Sequence, residues 1–218
     1  MRKSFGLVLA ALTVVIFLAS PANASTIYTL NIDHCTGGCG SSPFGTITLT
    51  NAGANTVDMV ISLTNSNKFV QTGQAGSTVA FNLIGNPTLS LVSSTLPGWS
   101  LDSTNAGSLQ FDGFGNFEYS LNCCFSNNGG ANAQPGLVTV RLSGTGLTES
   151  SFAELSSGGS PSVFFAVDVL SGQTGNTGPV GTNTPPTQQL PNVPEPTSLV
   201  LLGTGLLAAT RRLRRSKQ

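Results

Sequence analysis

The chain has 218 residues, only 8% of them charged, and its nine basic and nine acidic residues cancel to a formal net charge of zero. The balance is uneven, because residues 25–193 hold only Lys68 and Arg141 against eight acids, a net charge of −6. Phosphate contacts need clustered Lys and Arg, so this composition excludes nucleic acid as a partner; with so little charge, the surface has to be built from Ser, Thr, Asn and Gly.

At the N-terminus, Arg2 and Lys3 precede an uncharged apolar run over residues 5–18, and Ala22-Asn23-Ala24 follows with a small-x-small pattern. This is the layout of a secretory signal peptide over residues 1–24, with signal peptidase cutting after Ala24. Pro21 ends the run before it is long enough to span a bilayer.

From residue 25 to residue 171 the apolar period is two. Ile47 and Leu49 alternate with Thr46, Thr48 and Thr50, and Val57, Met59 and Ile61 alternate with Asp58, Val60 and Ser62, as half-buried strands require. Further strands are expected at 27–32, 78–84, 89–93, 116–122, 137–142 and 163–170, separated by Gly, Asn, Pro and Ser clusters. Eight or nine short strands predict an all-β body, a two-sheet β-sandwich of jelly-roll-like or Ig-like type. A domain of this size buries about 70% of its unfolded surface, enough for independent stability. One short helix is expected over 148–155, capped by Thr148, with Glu149 in its first turn and Phe152 and Leu155 facing the sandwich.

Four cysteines form two close pairs, Cys35 with Cys39 and Cys123 with Cys124, and an even count in an exported chain reads as disulfides. Three pairings are open. Bridges joining the two pairs are favoured, because they avoid a vicinal bridge and close a long loop at a gain of roughly 4 kcal/mol. A zinc site using His34 and these thiols fits poorly, since C-x3-C beside a vicinal pair is not a zinc-ligand spacing.

Residues 172–192 carry no charge and are mostly Gly, Thr, Asn, Pro and Gln, so they read as an extended linker. The final segment, 193–218, begins with Pro194-Glu195-Pro196. Residues 197–210 contain no charge and would form a helix apolar on all sides, and residues 211–218 hold Arg211, Arg212, Arg214, Arg215 and Lys217. Fourteen helical residues reach about 21 Å, short of a hydrocarbon core of about 30 Å. Arginine stems can snorkel across the deficit, and a basic cluster stays on the cytoplasmic side. The segment is therefore expected to be a transmembrane-type helix serving as a transient anchor. The two prolines would hold Glu195 on a stiff, accessible strap outside.

This three-part order, Pro194-Glu195-Pro196, then the apolar stretch, then Arg211, Arg212, Arg214 and Arg215, resembles the PEP-CTERM sorting domain of exported bacterial proteins. A fainter likeness to surface proteins of that group covers residues 112–119 and 165–168 with 175–178. The resemblance implies export across the inner membrane and cutting near Pro194-Glu195-Pro196 by an exosortase, a membrane transpeptidase-like enzyme. It also implies a cell-surface or extracellular destination associated with exopolysaccharide or biofilm.

Catalysis by the body itself is not expected, and no cofactor is implied. The single histidine, His34, sits beside a cysteine expected to be oxidised, which disfavours a nucleophilic triad. Asp112, Glu118 and Asp168 are candidate carboxylates for glycoside hydrolysis, but alternation puts Glu118 and Asp168 opposite the main apolar faces, on the solvent side. Asp112, Asn116 and Glu118 around Gly113 and Gly115 offer oxygen ligands for calcium, against the simpler reading of a Gly/Asn turn. The favoured reading is a structural or adhesive matrix protein. The alternative is a carbohydrate-binding module using Trp99 and Tyr119 as flat platforms.

Overall fold

A computed structural model describes residues 24–72, 76–103, 107–126, 129–189 and 204–205. The chain divides into two compact units, Ala24–Gln189 and a second made of residues 1–23 and 190–218. In the second unit only Thr204 and Gly205 are described, and both are helical. The expected signal peptide and sorting segment, including Ala22, Pro194, Glu195, Pro196 and the terminal arginines, thus lie outside the described residues. Among the described residues no helix is long and apolar enough to cross a membrane.

The Ala24–Gln189 unit is all-β. Its strands are β1 (Ser25–Leu30), β2 (Ile32–Asp33), β3 (Gly45–Gly53), β4 (Thr56–Leu63), β5 (Lys68–Phe69), β6 (Val79–Phe81), β7 (Ser90–Ser94), β8 (Ser100–Asp102) and β9 (Leu109–Phe111). There follow β10 (Gly115–Phe117), β11 (Tyr119–Asn122), β12 (Gln134–Pro135), β13 (Leu137–Ser143), β14 (Ser157–Gly158), β15 (Phe165–Leu170), β16 (Thr177–Thr182) and β17 (Thr187–Gln189). All strand pairings are antiparallel.

Six strands form one sheet in the order β17-β1-β3-β4-β13-β7. Its long strands show the alternation read from sequence: Val57, Met59 and Ile61 are fully buried while Asp58, Val60 and Ser62 are half-exposed. An eight-stranded sheet is built on β15, which pairs along its whole length with β16. On its other side β15 is shared between β6, opposite Phe165–Val167, and β5, opposite Val169 and Leu170. Buried side chains from both sheets, among them Ile47, Met59, Val140, Phe81, Val167 and Tyr119, make one core.

A third layer, absent from the two-sheet expectation, covers the opposite face of β6 and β15. It is the small sheet β14-β10-β9, and it encloses a second core of Ala80, Phe111, Phe114, Phe117, Val163 and Ala166. Burial of both faces explains why Phe165–Val169 is buried at every position rather than at alternate ones. It also divides the expected 116–122 strand. At Glu118 the backbone N–H leaves the ladder and donates to Asn82 Oδ1 at 2.8 Å; Phe117 falls in the second core and Tyr119 in the first. Gly115 permits this crossing, since its φ is +88° and a Cβ there would lie 2.2 Å from the Ser157 carbonyl oxygen.

The structure corrects three expectations. The linker placed at 172–192 contains β16 and β17, and the body runs on to Gln189. Backbone pairing orders this stretch where apolar content could not: small residues let it approach closely, and a Cβ on Gly178 would come within 2.6 Å of Cys35 Cα. The helix at 148–155 is a single 3-10 turn, Glu149–Phe152, with Thr148 extended before it. Ser150 and Ser151 favour side-chain bonds such as Thr148 N–H to Ser151 Oγ over a longer helix; Phe152 is buried, but Leu155 is exposed. The disulfides are local, Cys35–Cys39 and Cys123–Cys124, so the favoured crossed pairing is wrong. Cys123 is instead held to Thr78, its N–H donating to Thr78 Oγ1 at 3.0 Å.

Candidate functional site

The cysteine loop at the end of β2 gathers Asp33, Cys35 and Cys39, whose potential ligand atoms all lie within 4.8 Å of one another. Their bonding is that of a structural staple. The sulfurs are joined to each other, and the Asp33 carboxylate accepts the Cys35 N–H through Oδ1 and the Cys39 N–H through Oδ2, both at 2.8 Å. Ser171 Oγ donates to the Cys39 carbonyl, and Thr174 Oγ1 and Asn176 Nδ2 donate to that of Gly38, sewing the loop to the β15–β16 turn. Thiols oxidised in this way cannot act as zinc thiolates. His34 lies over Phe114 with ring centroids 4.6 Å apart, and its backbone N–H donates to the Pro179 carbonyl.

The aromatic candidates for sugar contact are not open platforms. Trp99 is 8% exposed, packs edge-on against Phe69 at 5.3 Å, and donates from Nε1 to Gln134 Oε1 at 2.9 Å. Tyr119 is 4% exposed, stacks with Phe81, and its hydroxyl donates to the Pro87 carbonyl at 2.8 Å. Burial raises its pKa, with smaller contributions from Glu118 and Glu154. Both rings satisfy their polar atoms internally, as core Trp and Tyr do.

The calcium candidates stand in a turn, in the strand that follows it and just beyond that strand. Asp112 is an exposed residue of the Phe111–Phe114 turn, closed by the Phe114 N–H donating to the Phe111 carbonyl. Asn116 lies in β10 opposite Gln110 and Ser157. Glu118 is half-buried, and its Oε2 has no hydrogen-bond partner. Burial, and then the Glu118 charge, raises the pKa of nearby Glu154.

Asp168 departs most from the sequence reading. It was placed on a solvent face, yet it is fully buried, on the side of β15 covered by the third layer. The ladder beside β15 breaks here, between β6 and β5, and Val70, Thr72 and Thr78 bond to Asp168 at the gap. The Asp168 N–H donates to the Thr78 carbonyl and its own carbonyl accepts from Val70 N–H. Its Oδ2 accepts both the N–H and the Oγ1 hydroxyl of Thr72 at 2.6 Å, while Oδ1 is buried without a partner. Desolvation pushes its pKa up to about 6, the Thr72 bonds pulling the other way. The sequence signal was present: one acid inside the apolar run of β15.

No curated protein and no solved structure matches the chain. Residues 192–215 match the PEP-CTERM protein-sorting motif. That match covers Pro194-Glu195-Pro196, the apolar stretch and the arginine cluster, so the chain carries a PEP-CTERM sorting motif over residues 192–215, which implies exosortase processing.

Proposed function

We propose that this protein is exported, held briefly in the membrane by its C-terminal helix, and cut by an exosortase near Pro194-Glu195-Pro196. Its sandwich-type body then serves at the cell surface or in the matrix as a structural or adhesive component associated with exopolysaccharide. The observation that carries the reading is the sorting motif at 192–215, following directly on the last strand of the folded body. Two disulfides support an oxidising destination, where such bonds persist. The few charges and many hydroxyls of the body suit a hydrated, polysaccharide-rich setting.

The test is expression of the full chain in a producing strain with Glu195→Ala and, separately, Pro194→Ala. The expected result is an unprocessed form of higher mass retained in the membrane fraction, while the wild-type body appears outside the inner membrane. Unchanged mass and distribution in both variants would overturn the sorting role of these residues. The polysaccharide part of the reading cannot rest on the buried rings of Trp99 and Tyr119 and has to be sought on an open face.

A further inference from the structure

The last strand of the body is lightly held. β17 has three residues, Thr187–Gln189, all exposed, and it stands at the rim of the six-stranded sheet beside β1. Its register pairs are Ile27 with Thr187, Thr26 with Gln188 and Ser25 with Gln189, and Gln188 Nε2 donates to Thr26 Oγ1 at 2.9 Å. None of the three residues buries an apolar side chain, so a few hydrogen bonds of modest net worth are set against the entropy of ordering the strand. Its neighbours do not depend on it. β1 pairs with β3 over all six of its residues, and β16 pairs with β15 over all six of its own, five of them buried. β17 can therefore leave the edge by local opening while the rest of the body stays folded.

Chain length gives this edge a consequence. Residues 190–193 join Gln189 to Pro194, and the sorting motif begins at residue 192. Five fully extended steps reach about 18 Å at most. An enzyme that cuts near Pro194-Glu195-Pro196 and takes its substrate as an extended strand meets a folded sheet edge four residues upstream while β17 is docked. Release of β17 moves the last fixed point back to Thr182, at the end of β16, and the twelve steps from there to Pro194 reach about 43 Å. The connector over residues 183–186 suits that role. Pro185 and Pro186 keep a freed chain extended, and Asn31 Nδ2 donates to Thr184 Oγ1 at 3.0 Å when the connector is seated.

We propose that β17 is a releasable strap: docked on β1 it withholds the cleavage site from the exosortase, and peeled from the edge it presents that site. This deepens the sorting function proposed above and rests on it. The step it governs is breakage of one peptide bond, the acyl carbon passing to the enzyme's nucleophile, whose proton goes to the amine that leaves with the C-terminal segment.

The test follows the cutting rate of the full chain by pulse-chase in a strain that carries the exosortase. Thr26→Cys combined with Gln188→Cys locks β17 to β1 through a cross-strand disulfide, verified by mass spectrometry of non-reduced fragments. The locked chain should be cut at least about tenfold more slowly than wild type, added reductant should restore the rate, and neither single substitution should slow it. Six Gly and Ser residues inserted after Gln189 lengthen the strap by about 20 Å and should restore cutting of the locked chain without reductant, which separates reach from misfolding. Gln188→Ala removes a side-chain bond from the docked strand and should speed cutting about fivefold. A verified lock cut at the wild-type rate, a locked chain that the insertion does not rescue, or an unchanged rate in Gln188→Ala overturns the strap. Failure of wild type to be cut, or cutting that Glu195→Ala leaves unchanged, overturns instead the sorting reading beneath it.

Discussion

Asp168 supplies the sharpest test of the packing described here. Its carboxyl is pushed from 3.8 up to about 6 by burial, so the folded state holds the proton more tightly than the unfolded chain does. The stabilisation from this group is complete below about pH 3.8 and is lost as pH rises through about 6. A difference of roughly two pKa values corresponds to about 3 kcal/mol. Asp168→Asn removes the titration while keeping a carbonyl oxygen for both Thr72 donors, and its amide nitrogen takes the place of the unpartnered Oδ1. Urea unfolding from pH 4 to pH 8, followed by fluorescence of the single buried Trp99, gives the two stabilities; contributions from the other acids cancel in the difference. The variant's stability relative to wild type should rise by about 2.4 kcal/mol across that range, most of it between pH 4 and pH 6.5, with the rest, out of about 3 kcal/mol, lying below pH 4. A difference that stays level, or that falls as pH rises, refutes the argument that burial controls this carboxyl. Thr72→Val, which removes one donor to the carboxylate, should move the steep part of the curve to higher pH.

Tyr28 is buried with its hydroxyl unpartnered, and burial pushes its pKa up to about 12. Tyr28→Phe should therefore stabilise the body by about 1 kcal/mol in urea unfolding, whereas loss of stability would reveal a missed partner. Trp99→Ala should cost about 3–5 kcal/mol of stability, as removal of a core aromatic does, and equal stability would show that the ring is not core. Mass spectrometry of non-reduced proteolytic fragments should find no peptide linking Cys35 or Cys39 to Cys123 or Cys124; one such cross-link contradicts the local pairing.

The long strands were legible because their outer faces are open. In β3, β4 and β13 an apolar residue at every second position has one meaning, and the register follows from it. Where a third layer closes the other face, alternation stops carrying information: in β15 the residues between Val167 and Val169 and around Ala166 are buried too, and Asp168 was assigned to water. Short pieces such as β5, β12 and β14 have two residues each and no period to detect. β16 was hidden for a different reason, because its Gly and Thr residues are ordered by pairing with β15 and β2 and by close approach, neither of which hydropathy registers. Local disulfides could not be read because spacing limits which bridges are possible without choosing among them. The sorting motif, by contrast, needs no tertiary structure to be seen: its signal is linear, and the sequence match falls on the same residues.

Ser25 and Gln189 are cross-strand partners at the outer edge of the six-stranded sheet. The two ends of the body are therefore neighbours on adjoining strands at one corner of the sheet. Processing at either end, as proposed above, would alter the surface of the body only there. The same adjacency means that a few added residues could join the two ends and new ones could be opened elsewhere, so a circular permutant should keep the whole sheet.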